Sequence, residues 1–103
     1  MSSSDKRALA EALEHRIQKG PGAASPELRS RAFEGRELPE PLVTLLHKVA
    51  TRSFQLGDAD FAEALAAGFS EDQLFELVIC AAVGESARQR QAGLRALAEV
   101  DDR

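Results

Sequence analysis

The stretch from Gly68 to Gly84 reads Gly-Phe-Ser-Glu-Asp-Gln-Leu-Phe-Glu-Leu-Val-Ile-Cys-Ala-Ala-Val-Gly and constrains the fold more than any other. Gly68 is a helix stop, and Ser70 with Gln73 forms the start signal of a capping box. In the run from Leu74 to Val83 the only charged residue is Glu76. A helix apolar on nearly every side needs other helices around it or a bilayer. The run is well short of the ~20 residues that a membrane span requires. The stretch is therefore expected to be the central helix of a small helical domain. It also holds the sole cysteine, Cys80, one turn beyond Glu76.

The rest of the chain supplies the covering helices. Ser4 is a plausible cap for a first helix ending near Lys19, with residues 1–4 frayed and Ala8, Leu9, Ala12, Leu13 and Ile17 on one stripe. Gly20-Pro21-Gly22 stops it. Ser25-Pro26-Glu27 starts a second helix with a cap, a proline at the first position and an acid in the first turn. That helix is expected to bury Leu28 and Phe33 and to end at Gly35. After a proline-containing linker, a third helix is expected from about Glu40 to Leu56, with a wide apolar arc that includes Leu42, Leu45, Leu46 and Phe54. Gly57 breaks it, and Asp58 is placed to cap a fourth helix running to Ala67. Gly84 is a candidate kink, after which Glu85–Val100 continues as a helix with Ala87, Leu94, Leu97 and Val100 directed inward. No segment alternates like a strand. The expected architecture is all-α, a compact bundle of five to six helices in one domain over residues 1–103, with N-terminal helices over 5–35 and a core over 39–100.

Composition excludes several function classes. The 103 residues carry a net charge of -4 and no Trp or Tyr, with five Phe as the only aromatics. An acidic chain nearly without stacking platforms fits neither nucleic acid nor an anionic membrane. One cysteine forms no internal disulfide, which fits a cytoplasmic setting, and the N-terminal residues lack an apolar export core.

Three residues are candidates for chemistry: Glu76, His47 and Cys80. On a helix, Gln73, Glu76, Cys80 and Gly84 align at spacings of three and four, which makes the carboxylate and the thiol neighbours. Cys80 could act as a nucleophile with Glu76 as its proton acceptor. However, a neighbouring carboxylate and an apolar setting both raise a thiol's pKa, which favours a space-filling role. Glu76 reads either as an active carboxylate or as a helix-edge or intersubunit partner. His47 lacks a second metal ligand at helical spacing, because positions 43, 50 and 51 are Val, Ala and Thr. Asp58 and Asp60 do not continue into a calcium-loop pattern. No cofactor or metal is expected.

From Pro39 onward, Leu42–Leu56, then Asp60-Phe61-Ala62-Glu63-Ala64-Leu65-Ala66-Ala67-Gly68-Phe69-Ser70-Glu71, then Ala81-Ala82-Val83-Gly84 resembles the carboxymuconolactone decarboxylase and alkylhydroperoxidase D-like superfamily. The resemblance covers about 60 residues. It implies an alkylhydroperoxidase D-like fold assembled as a homo-oligomer, a trimer or hexamer, and a small organic acid, lactone or peroxide as ligand. Peroxidase members carry Cys-X-X-Cys-X-X-X-His before the Ala-Leu-Ala-Ala-Gly segment. The corresponding positions here are Ser53, Leu56 and Asp60, which cannot perform dithiol chemistry. The expectation is thus a divergent member of unknown substrate without dithiol peroxidase activity. Its pocket is expected between the third and central helices near His47, Ser53, Asp60, Glu76 and Cys80. The alternative is a non-catalytic helical oligomerisation or protein-interaction module. The wide apolar arcs of the third and central helices call for a symmetric interface between copies.

Overall fold

A computed structural model describes residues 2–101, and all the regular structure among them is helical. There are five α-helices, α1 (Ser3–Lys19), α2 (Pro26–Glu34), α3 (Leu42–Thr51), α4 (Asp58–Ala66) and α5 (Glu71–Asp101), with a short 3-10 turn at Ser53–Gln55. α5 is the axis. It packs against α1, α2 and α3, most extensively against α2, and α4 attaches through α3.

The start of α5 follows the sequence signal. Ser70 Oγ accepts from the Gln73 N–H at 3.1 Å, and Gln73 Oε1 accepts from the Ser70 N–H at 2.9 Å. The helix then runs unbroken through Gly84, the candidate kink, to Asp101, one residue beyond the expected end at Val100. Gly84 serves close packing. A β-carbon there would overlap the carbonyl oxygen of Phe33, so the missing side chain lets the end of α2 lie directly on α5. Gly35 then ends α2 in the left-handed conformation, φ 72°, as glycine does readily. Arg88 of α5 donates to the same Phe33 carbonyl at 2.6 Å, fastening that junction.

Several boundaries shift for local reasons. Ser2, two residues before the expected Ser4, caps α1 in a reciprocal box with Asp5; Met1 lies outside the described residues. α3 stops at Thr51, and residues 53–55 tighten into the 3-10 turn, leaving Phe54 82% exposed and outside the core. Gly57, not Asp58, occupies the cap position of α4, where Asp60 Oδ2 accepts from the Gly57 N–H at 3.0 Å.

The core is small and aliphatic. Leu42, Leu45, Leu46, Ala64, Leu74, Leu77, Cys80 and Ala81 are buried together with Ala24 and Ala32, and Leu28 and Phe33 are partly buried at its edge. The core surrounds only the N-terminal half of α5. From Arg88 to Asp101 every residue of that helix is exposed, and α1 contains no buried residue. Leu94, Leu97 and Val100 therefore do not point into the core as expected. They form, beside α1, an arm that stretches the molecule to 52 × 29 × 22 Å. The Cα radius of gyration is 15.6 Å, against about 13 Å for a compact domain of this length.

Substitution should separate the two glycines of α5. Gly84→Ala gains helix propensity but drives a methyl group into rigid backbone, and should lower stability by roughly 1–3 kcal/mol. Gly93→Ala, with open space around the new atom, should be neutral or gain up to about 1 kcal/mol. Urea titration of both variants reads the contrast, and equal effects would refute the packing role of Gly84.

Candidate functional site

The isolated carboxylate of the central helix sits at the best-organised polar cluster of the molecule. Glu76 faces the loop between α1 and α2, where Oε2 accepts from the Ala23 N–H at 2.7 Å and Oε1 from the Ala24 N–H at 3.0 Å. Gln73, one turn earlier, reaches the Ala23 carbonyl at 3.4 Å. Gly22 passes so close that a β-carbon there would overlap the Glu76 carboxylate. Beneath the loop lies Arg29 of α2, 3% exposed. Its guanidinium donates to the carbonyls of Ala24 at 3.1 Å, Ile17 at 3.1 Å and Gly20 at 2.5 Å, and its Nε lies 3.9 Å from Glu76 Oε1.

This arrangement satisfies a buried charge in the way physical chemistry requires. The last carbonyls of α1 have no intrahelical partners, and a cation there complements the helix dipole. The loop's N–H groups turn to the carboxylate and its C=O groups to the guanidinium, so both charges are hydrogen-bonded and paired. Sequence reading passed over Arg29. The signal for it was Glu76 itself, because a lone carboxylate in an apolar helix demands a cation from elsewhere in the chain.

Cys80, one turn further along α5, is 1% exposed, and its thiol donates to the Ile17 carbonyl at 3.4 Å. Burial pushes its pKa up; Arg29 pulls the other way, and Glu76 adds to the rise. The thiol is thus held in its protonated, weakly nucleophilic form.

His47 lies elsewhere. It is exposed on α3 and borders a hollow of about 260 Å³ together with Thr51, Glu34, Glu85 and Arg88. Glu76 borders a different hollow, about 370 Å³, with Arg16, Pro21, Arg29 and Ile79. Arg88 is already engaged by Phe33 and by Glu85 at 2.9 Å, which holds the Glu85 carboxyl below its usual range. The three candidate residues thus fall into one pair, Glu76 and Cys80, and a separate His47. At the positions matching the peroxidase motif, Ser53 starts the 3-10 turn and Leu56 packs at the core edge. Asp60 pairs with Lys48 at 2.7 Å, and that hydrogen bond, followed by the one from the Gly57 backbone, lowers its pKa. Among the described residues no three His, Cys, Asp or Glu side chains converge as metal ligands, and no helix is long and apolar enough to cross a membrane.

Compared with family models, curated proteins and solved structures, the chain matches none.

The clasp can be tested by mutation. Arg29→Ala strands three carbonyls and a carboxylate and should cost about 3–5 kcal/mol; Glu76→Ala, partly solvated, should cost less, about 1–3 kcal/mol. The double variant should lose less than the sum. Strict additivity in denaturant titration would show that the two side chains act independently. Alkylation of Cys80 at pH 8 should likewise be slow and track global unfolding; rapid labelling of the folded chain would contradict its burial.

Proposed function

We propose that the chain is a non-catalytic helical oligomerisation module, a divergent relative of the carboxymuconolactone decarboxylase and alkylhydroperoxidase D-like superfamily without its thiol chemistry. The observation that carries this reading is the use of the chemistry-bearing groups. Glu76 is engaged by backbone N–H groups and Arg29, Cys80 is buried and protonated, and His47 borders another hollow. An enzyme of this fold class would be expected to gather such groups around one enclosed cavity.

The surface supports the same reading. Leu9, Leu13, Leu65, Phe75, Leu94, Leu97 and Val100 are exposed on α1, α4 and α5, while Val43 and Phe54 are the exposed large apolar residues elsewhere. Isolated exposed leucines are ordinary, but large apolar side chains along one arm and one helix are the usual sign of a protein interface. Nearby charges of both signs, Lys6, Arg7, Glu11 and Glu14 on α1 and Arg90, Arg95 and Glu99 on α5, fit a protein partner better than a nucleic acid or a bilayer.

Sedimentation at micromolar concentration should return a mass above that of the 11.1 kDa protomer, and a strictly monomeric chain would defeat the module. Thiol-coupled turnover of an organic hydroperoxide should be absent. Turnover abolished by Cys80→Ser would restore an enzymatic function.

A further inference from the structure

α5 carries a second pattern, on the side away from its own core. Phe75, Ala82, Gln89 and Ala96 form one row and Ile79, Ser86, Gly93 and Val100 a second, and the two alternate at steps of four and three. That is the spacing of a coiled-coil seam. None of these eight residues is charged, although nine charged residues occur elsewhere on the same helix: Glu71, Asp72, Glu76, Glu85, Arg88, Arg90, Arg95, Glu99 and Asp101. All are exposed except Ile79, which is partly buried; Phe75 is 67% and Val100 63% exposed, and nothing lies within 4 Å of a β-carbon built on Gly93. A solvated helix face does not normally stay free of charge for about seven turns.

Resting on the reading of the chain as an oligomerisation module, we infer that this seam pairs with the same seam of a second copy, antiparallel, about a two-fold axis near residues 87 and 88. The sequence is self-complementary in that register. Each position of one row meets a position of the other: Phe75 with Val100, Ile79 with Ala96, Ala82 with Gly93 and Gln89 with Ser86 of the second copy. The pairs Ala82–Gly93 and Ser86–Gln89 fall near the middle, and the first, made of small residues only, lets the two helices come close. The flanking rows also agree. Glu76 meets Leu97, Val83 meets Arg90, Val78 meets Glu99 and Glu85 meets Ala92, so no like charges are opposed. A parallel pair would instead set the two bodies side by side and leave the two arms to cover only each other. The antiparallel pair lays each bare arm on the other copy's body. It also brings Val100 to the edge of the hollow of about 370 Å³ beside Phe75, lined by Phe61, Leu65 and Val78. An isologous contact of this kind closes as a dimer or as the dimeric unit of a larger symmetric assembly.

The test combines cross-linking with one charge. In the full chain carrying Phe75→Cys and Val100→Cys, a short thiol-specific cross-linker should give covalent dimers in high yield. Either single variant, and the natural chain with only buried Cys80, should give almost none. In an antiparallel pair, residue 75 of one copy is about 38 Å along the axis from residue 75 of the other. Gly93→Arg should weaken association at least tenfold while leaving the circular dichroism of the protomer intact. Dimers from Phe75→Cys alone would overturn the antiparallel order. Oligomers that resist both Gly93→Arg and cross-linking would overturn this face and leave the module standing, whereas a monomeric natural chain would remove both.

Discussion

The protomer depends on one ion pair and the loop threaded through it. Arg29 and Glu76 come from two different helices, and between them they take up the polar backbone of the α1–α2 connection. Without the guanidinium, the carbonyls at the end of α1 would face the core edge unsatisfied. Without the carboxylate, Arg29 would be a buried charge lacking its counterion. Since α1 has no buried side chain, the clasp and Ile17 at the core edge are what hold this helix to the rest, aided by the Arg90–Glu14 pair at 2.8 Å. Hydrogen bonds and charge here do what apolar burial does elsewhere in the fold.

A second fastening lies two to three turns along α5, where Gly84 lets Phe33 approach and Arg88 takes its carbonyl. The two fastenings bracket Leu77, Cys80 and Ala81, the most buried part of the helix. They explain why α2, only nine residues long, makes the most extensive contact with α5. A short helix gains little from its own hydrogen bonding, so its position must come from tertiary contacts.

The parts of this fold legible in sequence were those with local causes. The capping box of Ser70 and Gln73, the Ser25-Pro26 start and the Gly35 stop act within a few residues and appear where the sequence places them. Glycine was harder to read, because a residue without a side chain permits a bend and a close approach equally. Gly84 could be interpreted only once Phe33 was known to lie against it. The inward direction expected of Leu94, Leu97 and Val100 failed for a related reason. Periodicity reports that a face is apolar, not whether its cover belongs to the same molecule. The candidate site was half legible: Glu76 stood out as unexplained, but its partner was 47 positions away and the loop amides bear no mark in the sequence. The expected neighbouring of the third and central helices puts His47 and Glu76 at one pocket, whereas the structure sets them at different hollows.

The length of α5 connects these observations. At 31 residues it extends about 46 Å, yet the core it passes through ends near Ala87. The remaining 14 residues are close to the limit at which an isolated helix is marginal in water, and alongside them lies only α1, itself held at its far end. Helix propensity favours much of this arm, with Ala, Leu, Arg and Gln frequent, but Gly93 opposes it in the middle. A glycine that costs helix stability and meets nothing within the protomer leaves room for another backbone to come close. In the proposed antiparallel pair, the residue that weakens the arm in the single chain is the one that admits a second helix against it, so order in the arm and association would be coupled through one position.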